Sequence, residues 1–353
     1  MISGNNDKFF DMLVIGAGPA GCAAATRAAM KGLHVGLIER ASFPRNLPGE
    51  SLHPEISSLL DELGIKKKVA AAGFVRNPGW ILEHDGVKTY IPYGEPQELQ
   101  FGYQAWRADL DTILLEHAET CGVFVLPETD ARDVILCDGR VTGIKTKGAD
   151  LMATHLVDAS GPRCWLSQKL SLQPELLSPK LVARYGYSEN DFGQGDIPRL
   201  LAHASGWTWL AKVQNNTWQC VQLSLLPGKE APAPPKDMGF PAKLRGADVT
   251  WRLVRESAGP GYFICGDAAA VLDPGASRGV ARALQSGIKA ANYASEAYHG
   301  RCSEKDALIS YRRWLASSFT AEAQQLAQRY AHWEQPPNWI KQFEGKFLAS
   351  TLD

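Results

Sequence analysis

Neither sign of charge is in excess in this 353-residue chain: 37 Lys and Arg face 38 Asp and Glu, for a net charge of −1. A chain so balanced has no broad basic field, which argues against nucleic acid as a partner. It has no run of about eighteen apolar residues, so no helix is expected to span a membrane. Met1 to Asp7 are polar and lack the apolar core of a signal peptide. The seven cysteines are odd in number and none forms C-x-x-C, so the expectation is reduced core thiols in a cytoplasmic protein. The eight histidines are scattered without paired ligand spacing, so no metal site is expected. No internal repeat is evident. The chain is 45% hydrophobic and 21% charged, enough for one larger and one smaller domain, each with its own core.

The strongest positive signal lies near the start. Asp11 to Ile15 read as a short buried strand, and Gly16, Gly18 and Gly21 supply G-x-G-x-x-G. An Ala-rich helix is predicted over Ala20 to Lys31, and a second strand over Leu33 to Ile38. Gly16 permits the tight turn, Gly18 lets the backbone approach a pyrophosphate, and Gly21 lets helix and strand pack closely. The helix start offers free N–H groups and the positive end of its dipole. Glu39 closes the unit where a carboxylate can accept ribose hydroxyls. Together these predict a dinucleotide site; the alternative is a glycine-rich turn without a ligand.

The far end of the chain narrows the choice. Tyr262 to Asp267 read Y-F-I-C-G-D, followed by Asp273-Pro274-Gly275, Arg278-Gly279-Val280 and an Ala-rich helical stretch to about Tyr298. An Asp after a strand can accept from a ribityl hydroxyl, and the next helix start can face a pyrophosphate or an anionic flavin ring. Trp106-Arg107-Ala108-Asp109 and Val157-Asp158-Ala159-Ser160-Gly161 lie between. In these segments the chain resembles the FAD-dependent monooxygenase and flavin-halogenase superfamily. The resemblance implies FAD as cofactor, contacted by Gly16, Gly18, Pro19, Ala20 and Gly21, and by Glu39 and Arg40. It extends the contacts to Gly49, Ser51, Arg107 and Gly161, and to Gly266, Asp267, Pro274, Gly275, Gly279 and Val280.

The expected fold is α/β: a Rossmann-like FAD-binding domain of glutathione-reductase type with an inserted antiparallel β-sheet substrate domain and C-terminal helices. The FAD-binding part is expected to be discontinuous, over residues 1–78, 105–164 and 261–299. The substrate part takes 79–104 and 165–260, where aromatic and β-branched residues alternate, and 300–353 form a C-terminal helical segment. Val134 to Lys147 read as a hairpin turning at Asp138-Gly139. Gly228 to Pro241 read as a Pro-rich surface loop.

Three positions are candidate catalytic groups. Glu50 lies in L-P-G-E-S-L-H-P, which matches the G-E-x-x-x-P stretch beside the flavin in the halogenase branch; the alternative is a plain N-capped helix start. His53 reads as a solvated or capping residue. Trp207 belongs to G-W-T-W-L, which resembles the start of the halogenase G-W-x-W-x-I-P signature, with Ala211-Lys212 in place of Ile-Pro. Both Trp207 and Trp209 would share one strand face, lining a substrate pocket or filling core. Arg278 stands where the family carries small residues; it could stabilise an anionic reduced flavin or a substrate carboxylate, or form a structural ion pair. Asn77 follows Gly73-Phe74-Val75-Arg76, where the family's Lys is expected, and an amide cannot act as a charged donor.

These departures favour hydroxylation or another oxidation of an electron-rich, indole-like ring over halogenation. Within the superfamily the chain also resembles flavoproteins that mature tryptophan-derived quinone cofactors of amino-acid oxidases, so the substrate could be a small molecule or, as that resemblance implies, a tryptophan in a precursor protein. Further alternatives are a geranylgeranyl-reductase-like enzyme, though no basic amphipathic surface helix supports it, and a non-catalytic flavin-bound partner that docks through Trp333 and Trp339. Molecular oxygen is the expected co-substrate. No second G-x-G-x-x-G appears, so reducing equivalents come from a separate flavin reductase or from transiently bound NAD(P)H.

Overall fold

A computed structural model describes residues 9–95, 97–189, 195–226, 228–229, 239–240, 244–333, 335–341 and 343. Most of the predicted 228–241 loop therefore lies outside the described residues. Strand β1 (Phe9–Ile15) is buried along nearly its whole length, as a central parallel strand must be. Helix α1 (Pro19–Met30) follows it, with Pro19 in the first turn and Gly32 at φ +85° just past its end. Strand β2 (Val35–Ile38) then pairs parallel to β1. Helix α2 (Arg107–Thr120) leads to the Phe124–Leu126 strand, which pairs parallel to β2.

Strand β3 (Asp150–Asp158) pairs parallel to β1 on its other side and to the Tyr262–Ile264 strand. Antiparallel strands Arg140–Lys145 and Asp133–Cys137 extend this eight-stranded sheet. They form the expected hairpin, with Asp138 at φ +50° and Gly139 at φ +76°, a turn with two left-handed residues.

A second, seven-stranded sheet contains strand β4 (Gly206–Gln214) at its middle. Strands 199–203, 79–84 and 87–92 lie on one side of β4, and strands 217–224, 182–188 and 245–248 on the other. All pairings are antiparallel except that between 199–203 and 79–84. The observed architecture is thus mixed α/β, with a parallel sheet beside an inserted antiparallel one. Strand 258–259, inside the 165–260 span, pairs with Tyr262–Ile264 in the first sheet.

Helix α3 (Gly279–Tyr298) packs directly on α1: a Cβ at Gly287 would sit 2.2 Å from the Ala20 carbonyl oxygen. Helix α4 (Glu304–Ala331) starts with the Ser303 hydroxyl accepting from the Asp306 amide, a side-chain cap. Its buried Leu308, Tyr311, Leu315, Phe319, Ala323, Leu326 and Tyr330 follow three- and four-residue spacing, which lays one face on the core. Trp333 and Trp339 fold back on the second sheet, donating to the carbonyls of His203 (2.6 Å) and Leu225 (3.0 Å). One core cluster joins both sheets and α4, and a small one, Leu210, Trp218 and Cys220, lies on the other face of β4.

Candidate functional site

Strands β1 and Tyr262–Ile264 both run parallel to β3, so α1 and α3 begin at the same, carboxyl edge of the sheet. That edge is where open α/β sheets bind ligands. Both helices start without a side-chain cap among the described residues, and neither has an acid in its first turn. Their first N–H groups are therefore available to an anion.

The α1 end is shaped by glycine. Gly16 sits at φ +97°, and a Cβ there would lie 2.6 Å from the Ala159 carbonyl oxygen. A Cβ on Gly21 would lie 1.8 Å from the Gly16 oxygen. Gly18 is extended and has only the Arg45 guanidinium nearby, at 3.6 Å. Pro19 and Ala20 are buried in the first turn. Glu39 is held by three donors: the Ala17 amide (2.8 Å) and Arg45 (2.9 Å) on one oxygen, the Ala41 amide (2.9 Å) on the other. Arg40 is exposed beside it, and Gly161, at φ +63°, lies beyond the Asp158 strand end. Glu39, the glycine turn and an uncapped helix thus form a cradle that a Cβ would fill, which fits the adenosine and pyrophosphate of FAD.

Arg107 links this end to the next. It forms a bidentate pair with Asp111 (2.9 and 3.0 Å) and donates to the Pro48 carbonyl (2.8 Å). Burial works against its charge, but Asp111, and beyond it Glu50 and Asp267, outweigh burial and hold its pKa above the ordinary value. Gly49 (φ +110°) lets the chain pass this guanidinium, since a Cβ would lie 3.1 Å from it. Gly266 donates to the Ser286 hydroxyl, and a Cβ on it would lie 2.8 Å from that of Ala20. Asp267 follows in a half-buried position.

On the other side of Arg107 the side chains come from the second sheet, α4 and the segments around residues 50, 104 and 273. Glu50 is fully buried and accepts from the Gly49 amide (2.7 Å), the Tyr187 hydroxyl (2.5 Å) and the Gln219 amide. Tyr187 and Gln219 are direct cross-strand partners. Burial raises the Glu50 pKa, and the bonds from Tyr187 and Gly49 oppose the shift. Ser51 donates to Gln104 (2.6 Å) and accepts from the Trp209 indole (2.9 Å). Trp207, on the same strand face, is 2% exposed and donates to the Tyr330 hydroxyl (3.1 Å). Tyr330 donates to Asp273 (2.6 Å), which caps the turn through Pro274 and Gly275.

Arg278 precedes α3 and makes two bonds to Glu55, at 2.6 and 2.8 Å. Gly279 is exposed with open space around its Cβ position, and Val280 is buried behind it. A small cavity of about 110 Å³ is lined by Glu55, Arg278, Arg282 and Glu322. A larger one, about 410 Å³, lies against Cys164, Arg252 and Ala268, and none of Glu50, Trp207 or Arg278 lines it. Glu50, Gly49, Ser51 and Arg107 are therefore gathered in one cluster. Trp207 belongs to a second, with Tyr330 and Asp273, and Arg278 to a third, with Glu55.

Sequence reasoning missed Arg45, Tyr187, Gln219 and Tyr330. None stands in a fixed-spacing motif, and the Tyr187–Gln219 pairing emerges only from strand register. The amide of Asn77 donates to the Asp196 carbonyl (2.8 Å), and the Lys212 ammonium pairs with the Asp196 carboxylate (2.8 Å). His53 is half-buried, and that burial lowers its pKa. Among the described residues no cluster of three His, Cys, Asp or Glu could hold a metal, and no helix is long and apolar enough to cross a membrane. All seven cysteines are free thiols.

Residues 10–227 match the family described as "FAD binding domain". A tryptophan 2-halogenase of Chondromyces crocatus is 28% identical over 90% of this chain and 67% of its own length. A 1H-pyrrole-2-carbonyl-(peptidyl-carrier protein) brominase of Pseudoalteromonas luteoviolacea is 29% identical over 87% and 82%. A solved myxobacterial chondrochloren halogenase superposes with a TM-score of 0.81 at 25% identity, covering 93% of this chain and 84% of that one. A probable FAD-dependent monooxygenase from Pseudomonas aeruginosa shares the fold, with a TM-score of 0.76 at 16% identity over 96% and 99%. The chain belongs to the FAD-binding domain family, within the FAD-dependent halogenase and monooxygenase superfamily.

Proposed function

We propose that this FAD-dependent oxidoreductase inserts oxygen into an electron-rich, indole-like ring. When bound and reduced, FAD supplies two electrons to O2; one oxygen atom enters the ring and the other leaves as water. The reductant is a reduced nicotinamide, acting directly or through a separate flavin reductase. The chain's own residues bind and shield. Gly16, Gly18 and Glu39 would hold the adenosine half, Arg107 and Asp267 the middle, and the α3 N-terminus the ring.

Asn77 carries the choice of oxygenation over halogenation. It presents a neutral amide, tied to a backbone carbonyl, where the resemblance predicts an ammonium. Lys212 is nearby in the network, but its ammonium is paired with Asp196. In the proposed reaction the neighbouring aromatic groups exclude water from the ring. The substrate is either a free indole or a tryptophan in a precursor protein. The carrier-bound substrate in the brominase's name gives precedent for a tethered ring.

The test is incubation of the FAD-loaded protein with a flavin reductase, NADH, O2, chloride or bromide, and either free tryptophan or tryptophan-bearing peptides. Mass spectrometry is expected to find one added oxygen, labelled when the gas is heavy oxygen. A halogen isotope pattern in the product would overturn the proposal.

A further inference from the structure

We infer that Trp207, Tyr330 and Asp273 form a positioning relay from the second sheet to the turn that opens α3, and so to the flavin ring; this rests on the FAD reading of that helix end. Three elements distant in sequence meet here. Trp207 comes from β4, Tyr330 from the last turn of α4, and Asp273 from the segment before α3. They are 2%, 2% and 3% exposed, so water competes little for their hydrogen bonds. The indole of Trp207 donates to the Tyr330 hydroxyl at 3.1 Å, and that hydroxyl donates to Asp273 Oδ1 at 2.6 Å.

Asp273 then acts on the backbone. The same Oδ1 accepts the Gly275 amide at 2.9 Å, capping the Pro274–Ala276 turn. Ser277 follows at φ +51°, and Arg278, which makes no capping bond, immediately precedes α3. The other carboxylate oxygen accepts the Trp251 indole at 2.7 Å. Burial pushes the Asp273 pKa up, while its three donors oppose that shift. The Tyr330 pKa is raised well above its ordinary value, by burial first and then by the Asp273 charge. Its proton therefore stays in place, and the direction of the relay is fixed: Trp207 to Tyr330 to Asp273.

Gly275 gives an independent sign of this arrangement. A Cβ there would lie 2.3 Å from the Tyr330 hydroxyl oxygen and 3.0 Å from Asp273 Oδ1. Only glycine admits the hydroxyl so close to the turn. None of the relay residues needs to touch the reacting atoms. Their task is to hold the Pro274–Arg278 turn, and through it the free N–H groups of α3, at a fixed place relative to β4. A displacement of β4 by bound substrate would reach the ring through this path.

The test compares Tyr330→Phe and Trp207→Phe with a control, Trp333→Phe. The control removes an indole bond to the His203 carbonyl just beyond α4 but leaves Asp273 untouched. In FAD-loaded protein, Tyr330→Phe and Trp207→Phe are expected to shift the flavin's visible circular dichroism and its midpoint potential. Because the adenosine half is held elsewhere, FAD affinity should stay within about threefold. Wild-type spectra and potential in Tyr330→Phe, or equal shifts in Trp333→Phe, would overturn the relay. A flavin-free cycle separates the relay from the cofactor reading. Gly275→Ala should lower Tm, and adding Tyr330→Phe should restore part of the loss. Absence of any recovery would overturn the relay's hold on the turn. Recovery in a protein that takes up no FAD would keep that hold and defeat the FAD reading instead.

Discussion

The two ends of the proposed FAD site are built by different means. At the adenosine end the determinants are backbone: Gly16, Gly18, Gly21 and an uncapped helix, with Glu39 as the one side-chain acceptor. They lie within about one strand–helix–strand unit and depend on local geometry. The proposed ring end is made of side chains from the second sheet, α4 and the segments at Glu50 and Asp273, as in the Glu50–Tyr187–Gln219 cluster and the Trp207–Tyr330–Asp273 chain. Besides bonds from near neighbours such as Gly49 and Gly275, its buried polar groups are joined by partners far apart in sequence: Tyr187 lies 137 positions from Glu50, Tyr330 lies 123 from Trp207 and 57 from Asp273. One end can therefore be kept while the other is varied, and this separation is open to test.

The largest effect is expected from Gly21→Val. Its Cβ would begin 1.8 Å from the Gly16 oxygen, so the strand–helix turn must open. A loss of about 3 kcal/mol in binding would lower FAD affinity more than a hundredfold; flavin content after purification checks it. Retained flavin would break the idea that this end is the anchor.

Glu50→Ala comes next and probes the opposite end. It leaves donors from Gly49, Tyr187 and Gln219 unpaired in a buried place, costing about 3 kcal/mol of stability. Denaturant unfolding should show the loss, while FAD remains bound in the folded fraction. If FAD is lost as completely as with Gly21→Val, the two ends are not separable.

Arg278→Ala should be milder. Its pair with Glu55 is about one-third exposed on both sides, so its removal should cost under about 1 kcal/mol. An unchanged flavin spectrum would confine Arg278 to that ion pair, and a shifted one would bring it into the ring's field.

The smallest effect is one of pH and lies outside both ends. His155 first, opposed by burial and aided by Arg140, lowers the Glu304 pKa from 4.5 to about 2. The folded pKa is depressed, so this contribution is complete above about pH 4.5 and fades as pH falls toward 2. Glu304→Gln should flatten the acid side of a Tm–pH profile over that window. An unchanged profile would show that this latch of α4 does not carry acid sensitivity.

Much of the fold was legible because its signals are local. The glycine spacing, the buried β1 run, the Asp138-Gly139 turn and the 3.6-residue pattern of α4 each state their structure within a short window. Trp207 and Trp209 were legible as a shared strand face, but not as partners of Tyr330 and Ser51. Arg278 was legible as a cation that meets an anionic ligand or forms an ion pair; that its partner is Glu55 depends on how α3 meets the segment after Pro54.

By itself the sequence determined the cofactor class and, with it, the anchor proposed for it, because a glycine that must lack a Cβ is written at fixed spacing before the first helix. It also determined that position 77 carries an amide, whatever surrounds it. Only the tertiary structure decided which buried polar groups satisfy one another at the ring end. A buried carboxylate requires partners, and strand register and the docking of α4 supplied them: Tyr187 and Gln219 for Glu50, and Tyr330 for Asp273.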